Sequence, residues 1–409
     1  MPMDILPILA SLRRHKVTAI LLILEIALTC AIVCNAVFLI GLRLDRIHTP
    51  SGVADNELIM VRMSNIGGRS DVRARTLEDL AALRGIPGVR SAAILAQTPF
   101  GYSGTTSSIK LSSDQKLPTI SYVSTYFGEG VVNAFGLELV QGRDFSADEY
   151  HWLQDLNLGL PGSSPRSVIV TEAVAKRLFP DGNALGKDVY IYDEPSRVIG
   201  IVRHLVTSQE WVPGQEDYSM ILPMRVSPDA GMGGTYVMRT SPDQRDRVLD
   251  AAVAKLKGLD PRRVLTQKST LEKQRATFFS ADRATAGWLI ATCAALLVVT
   301  ALGIVGLGSF WVAQRRRQIG VRRALGARRV DILRYFQTEN FLLATFGIVL
   351  GMGMAYGISL FLVLQYELPR LPAHYLPMGA VLLWLLGQGA VLSPALRAAS
   401  VPPVVATRG

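Results

Sequence analysis

Gly182-Asn183-Ala184-Leu185-Gly186-Lys187-Asp188 places two glycines and a lysine in the manner of a loop that cradles phosphate. The spacing is one residue short of such a loop, and Asp188 stands where a metal-binding Ser or Thr belongs. A carboxylate there would repel the ligand, so nucleotide binding is not expected. Gly101-Tyr102-Ser103-Gly104 is not the Gly-x-Ser-x-Gly elbow of hydrolases and reads as a flexible loop. Between Arg43 and Asp282 the histidines are His48, His151 and His204, with no cysteine and no His-x-x-x-His spacing, which argues against zinc. Asp148-Glu149 reads as a solvated pair rather than an acid–base dyad. No residue is expected to be catalytic, to bind metal or to hold a cofactor.

The strongest pattern lies in Gln314–Arg329, with seven arginines and no acid in sixteen positions. Such a segment cannot enter hydrocarbon, and short Arg-rich loops are retained in the cytoplasm. Anchoring, or binding of anionic membrane lipid, accounts for the charge. It does not account for Gly320, Ala324, Gly326 and Ala327, small residues that would let a helix here approach a partner closely.

The elements that must position this loop are apolar. Stretches 17–42, 284–312, 341–364 and 377–396 each have about the 20 residues an α-helix needs to cross a bilayer. Mean hydropathy of +0.28 agrees with this assignment. The expected fold is an α-helical membrane protein with four transmembrane helices and a large extracytoplasmic α/β domain between the first and second spans. The expected segments are an interfacial helix over 1–16, the outer domain over 43–282, the cytoplasmic loop over 313–338, a short periplasmic loop over 365–376 and a cytoplasmic tail over 397–409. The first span is read as an uncleaved anchor, too long for the core of a signal peptide.

The formal charge of +10 reports topology. Residues 43–282 hold 28 basic and 28 acidic side chains, so the excess sits in residues flanking the spans, such as Arg13, Arg14, Lys16, Arg397 and the arginine-rich loop. Nucleic acid is therefore not an expected partner.

Within the outer domain, 57–63 and 197–202 have strand composition, Thr76-Leu77-Glu78-Asp79 signals a helix start, and Thr171 caps a helix over 172–179. Ser241-Pro242 opens another helix running to about Leu256. A polar helix from about Ser269 is expected to pass unbroken into the second span, which would let it transmit rotation or tilt. Inside the spans, Gly347-x-x-x-Gly351 and Gly353-x-x-x-Gly357 allow close helix approach. Cys30 and Cys34 read as small packing residues. Glu25, Asn35 and Gln388 are the polar candidates within the membrane, because an unpaired ionisable group in lipid is costly.

Gln314 to Glu339, QRRRQIGVRRALGARRVDILRYFQTE, resembles the cytoplasmic loop of FtsX-like permeases, the family containing MacB, LolC and LolE. Phe135–Phe145, Val168–Pro180 with Gly186-Lys187, and the tail Pro394–Ala399 with Pro402-Pro403 are similar to MacB-type permeases. The resemblance implies that the loop docks on a cytoplasmic ATPase through Arg316, Arg317, Ile319, Gly320, Arg322, Arg323, Ala324, Gly326, Ala327 and Arg328. Ile319, Val321, Leu325 and Ile332 would supply apolar contacts. It implies a separate ATPase polypeptide carrying ATP and Mg, and an inner-membrane export subunit working by mechanotransmission, as a homodimer or with a related permease. A periplasmic adaptor and an outer-membrane channel are further partners to expect of such a system. The alternatives are a regulatory permease that activates a periplasmic or cell-wall enzyme, a membrane-anchored sensor, and an anchored hydrolase. The sensor would need an output domain after the second span, where only a short loop lies.

Overall fold

A computed structural model of the chain describes residues 16–64, 71–101, 104–156, 164–191, 194–208, 214–228, 234–366 and 370–400. Residues 1–15 of the expected interfacial helix over 1–16, Tyr102 and Ser103 of the glycine/serine loop, and Pro402-Pro403 of the tail lie outside the described residues, and Lys16 opens the first long helix.

The described elements in chain order are α1 (Lys16–His48), β1 (Leu58–Ser64), α2 (Val72–Arg84), β2 (Val89–Leu95), β3 (Thr106–Ile109), β4 (Ile120–Phe127), α3 (Val131–Phe135) and β5 (Leu139–Gly142). Next come β6 (His151–Trp152), β7 (Ser167–Thr171), α4 (Glu172–Leu178), β8 (Asp188–Tyr190), β9 (Pro195–Val202), β10 (Ser219–Leu222), β11 (Met224–Arg225) and β12 (Thr235–Thr240). The chain closes with α5 (Arg245–Leu259), β13 (Val264–Thr270), α6 (Leu271–Phe278), α7 (Ser280–Gln314), α8 (Arg316–Ala324), α9 (Arg329–Tyr366) and α10 (Tyr375–Ala399). Contacts divide it into two units, residues 48–280 and the remainder.

In the 48–280 unit the first sheet has the order β13-β1-β12-β2. Every pairing in it is antiparallel. With α2 after β1 and α5 after β12, this is a split β-α-β-β-α-β arrangement, interrupted between β2 and β12 by a second sheet of order β3-β4-β10-β7-β9-β5. Strand β7 runs parallel to β9 and is buried at all five positions, which explains its unalternating Ser-Val-Ile-Val-Thr composition.

Several local expectations need correcting. Helix α2 begins at Val72, so Thr76 is internal and its hydroxyl donates back to the Val72 carbonyl at 2.8 Å. Asp79 is buried and accepts from Arg263 Nη1 at 2.8 Å and the Tyr236 hydroxyl at 2.5 Å, tying α2 to β12 and to the turn before β13. Glu149 is not simply solvated. It pairs with Arg143 at 2.7 Å and closes a capping box with Ser146. The route to the second span is not one unbroken helix: α6 ends at Phe278, Phe279 turns at φ −88° and ψ 12°, and α7 starts at Ser280. Phe279 is fully buried against Phe100 and Phe278, with ring centroids 5.5 and 4.9 Å away, and this aromatic cluster holds the turn. Thr270 caps α6 by accepting from Lys273 N at 3.2 Å.

The other unit contains α1, α7, α9 and α10, among the described residues the four helices long and apolar enough to cross a membrane. They overrun the expected spans: α1 continues to His48 and α9 starts twelve residues before 341. Its core joins Leu22, Ile26, Cys30 and Cys34 of α1 to Ile304 of α7, Leu343 and Ile348 of α9, and Leu383 and Val391 of α10. Glycines set the close approaches. A Cβ added at Gly351 would lie 2.5 Å from Cys30 Cβ, one at Gly347 2.8 Å from Ile26 Cβ, and one at Gly379 would run into Cys34 Sγ.

Candidate functional site

The arginine-rich segment folds as α8, nine residues bounded by Arg315 and by a turn in which Gly326 takes φ +97°, a conformation that disfavours a side chain. The turn closes through Gly326 N to Arg323 O at 3.1 Å and Ala327 N to Arg322 O at 3.1 Å. Asp331 then accepts from Arg328 N at 2.9 Å, at the positive N-terminal end of α9.

This geometry divides the expected contact residues into two sets. Arg316, Arg317, Arg322, Ala324, Gly326 and Arg328 are exposed, as are Val321 and Leu325, the latter 84% exposed. Arg323 and Ala327 are half-buried. Ile319 and Gly320 face inward, and Ile332, also expected to be available to a partner, is buried as well. Ile319 and Ile332 pack with Val312, Phe336, Ala395, Ala398 and Ala399. They seat α8 on the membrane bundle because they are its apolar stripe. The Arg323 guanidinium donates to the Ala399 carbonyl at 3.2 Å, and the Arg322 guanidinium lies 5.1 Å from the Tyr335 ring centroid.

Arg315, absent from the sequence-based set, has a side chain only 10% exposed, and its Nη1 donates to both carboxylate oxygens of Glu339 at 3.0 and 2.9 Å. Its signal is obscured by the surrounding arginines; the clue available is Glu339, an acid standing just before the apolar stretch that begins at Phe341.

The polar candidates in the spans have different environments. Asn35 donates to the Ala31 and Ala355 carbonyls at 3.0 and 3.1 Å. Gln388 donates to the Gln337 carbonyl at 3.4 Å. Glu25 fills the notch at Gly303 of α7, where an added Cβ would meet its Oε2 at 2.6 Å, and makes no hydrogen bond or ion pair with another described residue. One turn along, Thr29 and Thr300 hydroxyls are bonded at 2.9 Å.

In the outer unit, the Gly182–Asp188 segment uses backbone donors within the fold, with Gly186 N to Val198 O of β9 at 2.8 Å and Lys187 N to Ala184 O in a turn at 3.2 Å. Asp188 pairs with Arg197 at 3.2 Å. A cleft of about 330 Å³ between β2 and α3 contains Arg84, Arg90 and Glu129. These bond to the Ala92 carbonyl, Glu57 and Arg225 respectively. Among the described residues no three His, Cys, Asp or Glu side chains form a metal-holding group.

Residues 22–255 match the model of the MacB-like periplasmic core domain, and residues 290–403 that of the FtsX-like permease C-terminal region. The chain belongs to the FtsX/MacB-type permeases. This permease is 27% identical over 237 residues to the macrolide export ATP-binding/permease protein MacB of Chromobacterium violaceum, covering 55% of the chain and 33% of that protein. It is 26% identical over 309 residues to the ABC transporter permease YvrN of Bacillus subtilis, covering 71% of each. A Shewanella MacB is 26% identical over 86% of the chain and 52% of its own length. The permease thus spans between a third and about half of these MacB proteins. The solved periplasmic region of MacB from Actinobacillus actinomycetemcomitans aligns with 57% of this chain and 97% of its own at 19% identity, with a TM-score of 0.34.

The permease is a multi-pass inner-membrane protein with a large periplasmic domain between its first and second spans. Its topology puts α8, between the second and third spans, on the cytoplasmic side.

Proposed function

We propose that this permease is the membrane subunit of an exporter driven by ATP hydrolysis in a separate cytoplasmic chain, and that α8 is where the two meet. The observation that carries the reading is the division of α8 into two faces. Ile319 and Gly320 seat the helix on the bundle, while Val321, Arg322, Leu325 and Arg328 remain exposed next to a glycine turn. Topology alone requires arginines; it does not require an 84%-exposed leucine among them. An acidic, apolar groove on an ATPase would bury Leu325 and Val321 and pair with Arg316, Arg317, Arg322 and Arg328. ATP and Mg belong to that partner, and the permease contributes movement: a displacement of α8 reaches the periplasmic domain through helices rather than through a continuous substrate channel. Two permease copies, or this chain and a relative, would flank two ATPase copies. Export, named in the MacB relatives, is proposed for this chain on family grounds.

Purification from the native membrane in mild detergent tests the reading. An ABC ATPase is expected to accompany the wild-type chain, and Leu325→Asp combined with Arg322→Glu is expected to lower its recovery at least tenfold while the chain stays folded. Recovery of the folded wild-type permease without an ATPase, or equal recovery with the double variant, would refute it.

A further inference from the structure

We infer that the Arg315–Glu339 ion pair is a clamp that makes α8 and the third span move as one body, so that displacement of α8 is delivered to α9 instead of being absorbed in the turn between them. This inference deepens the coupling reading and rests on it for its functional consequence.

Two covalent connections join α8 to the bundle. On one side, Arg315 separates it from α7; on the other, the turn 325–328 containing left-handed Gly326 separates it from α9. A glycine turn is a compliant joint. If it alone linked α8 to the third span, a push on the exposed face would bend the turn first. Arg315 bridges the joint: it sits at the start of α8, yet its side chain reaches Glu339 on α9, ten residues past the start of that helix. Both groups are nearly excluded from solvent, at 10% and 1% exposure.

Among the arginines of this segment Arg315 alone is buried, while 316, 317, 322, 328 and 329 are exposed and 323 is half-buried. A side chain needed only for charge on the cytoplasmic side would have no reason to be desolvated. The guanidinium also lies 5.9 Å from the ring centroid of Trp311, one turn earlier on α7, so the pair is gripped from the second span as well as the third. Burial makes the contact stiff in a way the surrounding apolar seat is not. Ile319 is held against Ala395 and Ala399 by apolar packing alone, whereas Arg315 and Glu339 cannot separate without stranding a charge.

The opposite end of α7 has a matching arrangement with a different neighbour. Asp282, 6% exposed, pairs with Arg43 and, at 3.6 Å, with Arg46, both on α1. The second span is therefore tied by ions to α1 at its periplasmic end and to α9 at its cytoplasmic end. Arg315 and Glu339 act as positioning residues: they determine which helix moves with α8.

Full-length chains in lipid nanodiscs, with whatever ATPase co-purifies from the native membrane, test the clamp by hydrogen–deuterium exchange. Without nucleotide, Glu339→Gln and Arg315→Ala are expected to raise exchange across residues 316–324 about tenfold, and the swap Arg315→Glu with Glu339→Arg to restore at least half of the protection. With ATP and Mg, the wild type is expected to change exchange over 329–344, and the single variants to lose at least four-fifths of that change while retaining the ATPase within twofold. Unchanged exchange over 316–324 in both single variants, or an intact ATP-dependent change over 329–344, would overturn the clamp. If Arg315→Ala fails to fold, Glu339→Gln and the swap decide on the same readouts. If no ATPase accompanies the wild-type chain, the coupling reading fails and the nucleotide-free exchange still judges the clamp.

Discussion

Two Gly-x-x-x-Gly motifs lie one after the other on α9, and the structure gives them opposite consequences. A Cβ at Gly351 would sit 2.5 Å from Cys30 Cβ and 2.6 Å from the Ala27 carbonyl oxygen, whereas Gly353 and Gly357 have nothing within 4 Å. Ordinary contact begins near 3.4 Å, so Gly351→Ala forces α1 and α9 apart by roughly 0.9 Å at that point. A gap of about that size forfeits a quarter to a half of each dispersion contact along the seam, and overpacking of this kind costs about 1–3 kcal/mol. Against it stands the gain of about 1 kcal/mol when alanine replaces glycine in a helix. Gly351→Ala should therefore be destabilised by up to about 2 kcal/mol, while Gly357→Ala, which meets no neighbour, should be neutral or stabilised by up to about 1 kcal/mol. Thermal unfolding of the purified chain in mild detergent, followed by circular dichroism, reads the sign. Labelling of Cys30, buried in the wild type, should quicken in Gly351→Ala alone. Equal stability of the two variants, or a more stable Gly351→Ala, would refute the α1–α9 seam.

In the periplasmic domain, Asp79→Ala strands the Arg263 side chain, 4% exposed, and should cost about 3–5 kcal/mol in urea unfolding. Tyr236→Phe, which leaves the ion pair intact, should cost about 1 kcal/mol. The Arg143 guanidinium holds the Glu149 carboxyl at about 2, below its ordinary value of 4.5. Because the folded value is the lower one, this contribution is complete above pH 4.5 and is lost as pH falls from 4.5 to about 2. Glu149→Gln should flatten the stability profile of the domain in that acid window and leave its slope near neutrality unchanged.

Much of the fold was legible because its signals are local. Four apolar stretches locate the spans, and a strand followed by Thr171 locates the start of α4, where the threonine accepts from Val174 N. What failed was non-local. The ends of α1 and α7 were placed too early and too late because hydropathy stops at the first charge, whereas Arg43, Arg46 and Asp282 continue the helices by pairing with one another. Asp79 enters the sequence reading only as part of the Thr76–Asp79 helix-start signal; the packing of β12 and the turn at Arg263 show that it is buried. Identical glycine motifs on α9 differ solely in which face meets α1. Ile319 was assigned outward with its arginine neighbours, yet the 3.6-residue period turns it toward Ile332 and Ala399. The Arg315–Glu339 pair spans 24 positions, beyond any spacing argument.

The polar residues of the spans rank the helices by freedom of movement. Helix α1 is joined to α9 by contacts that involve backbone: Asn35 to the Ala355 carbonyl, and Gly347 and Gly351 against Ile26, Ala27 and Cys30. Such seams resist sliding because every step of one helix past the other brings backbone against side chain. Helix α7 meets α1 differently, through the Thr29–Thr300 hydroxyls and the Glu25 side chain in the Gly303 notch, which can rotate or re-pair. Its apolar window is 17% buried, against 50% for α1. The second span is thus the least embedded of the four and is tied by ion pairs near both ends. Its hold on the rest of the bundle therefore rests on Asp282 near one end and on Arg315 beside the other more than on apolar packing along its length.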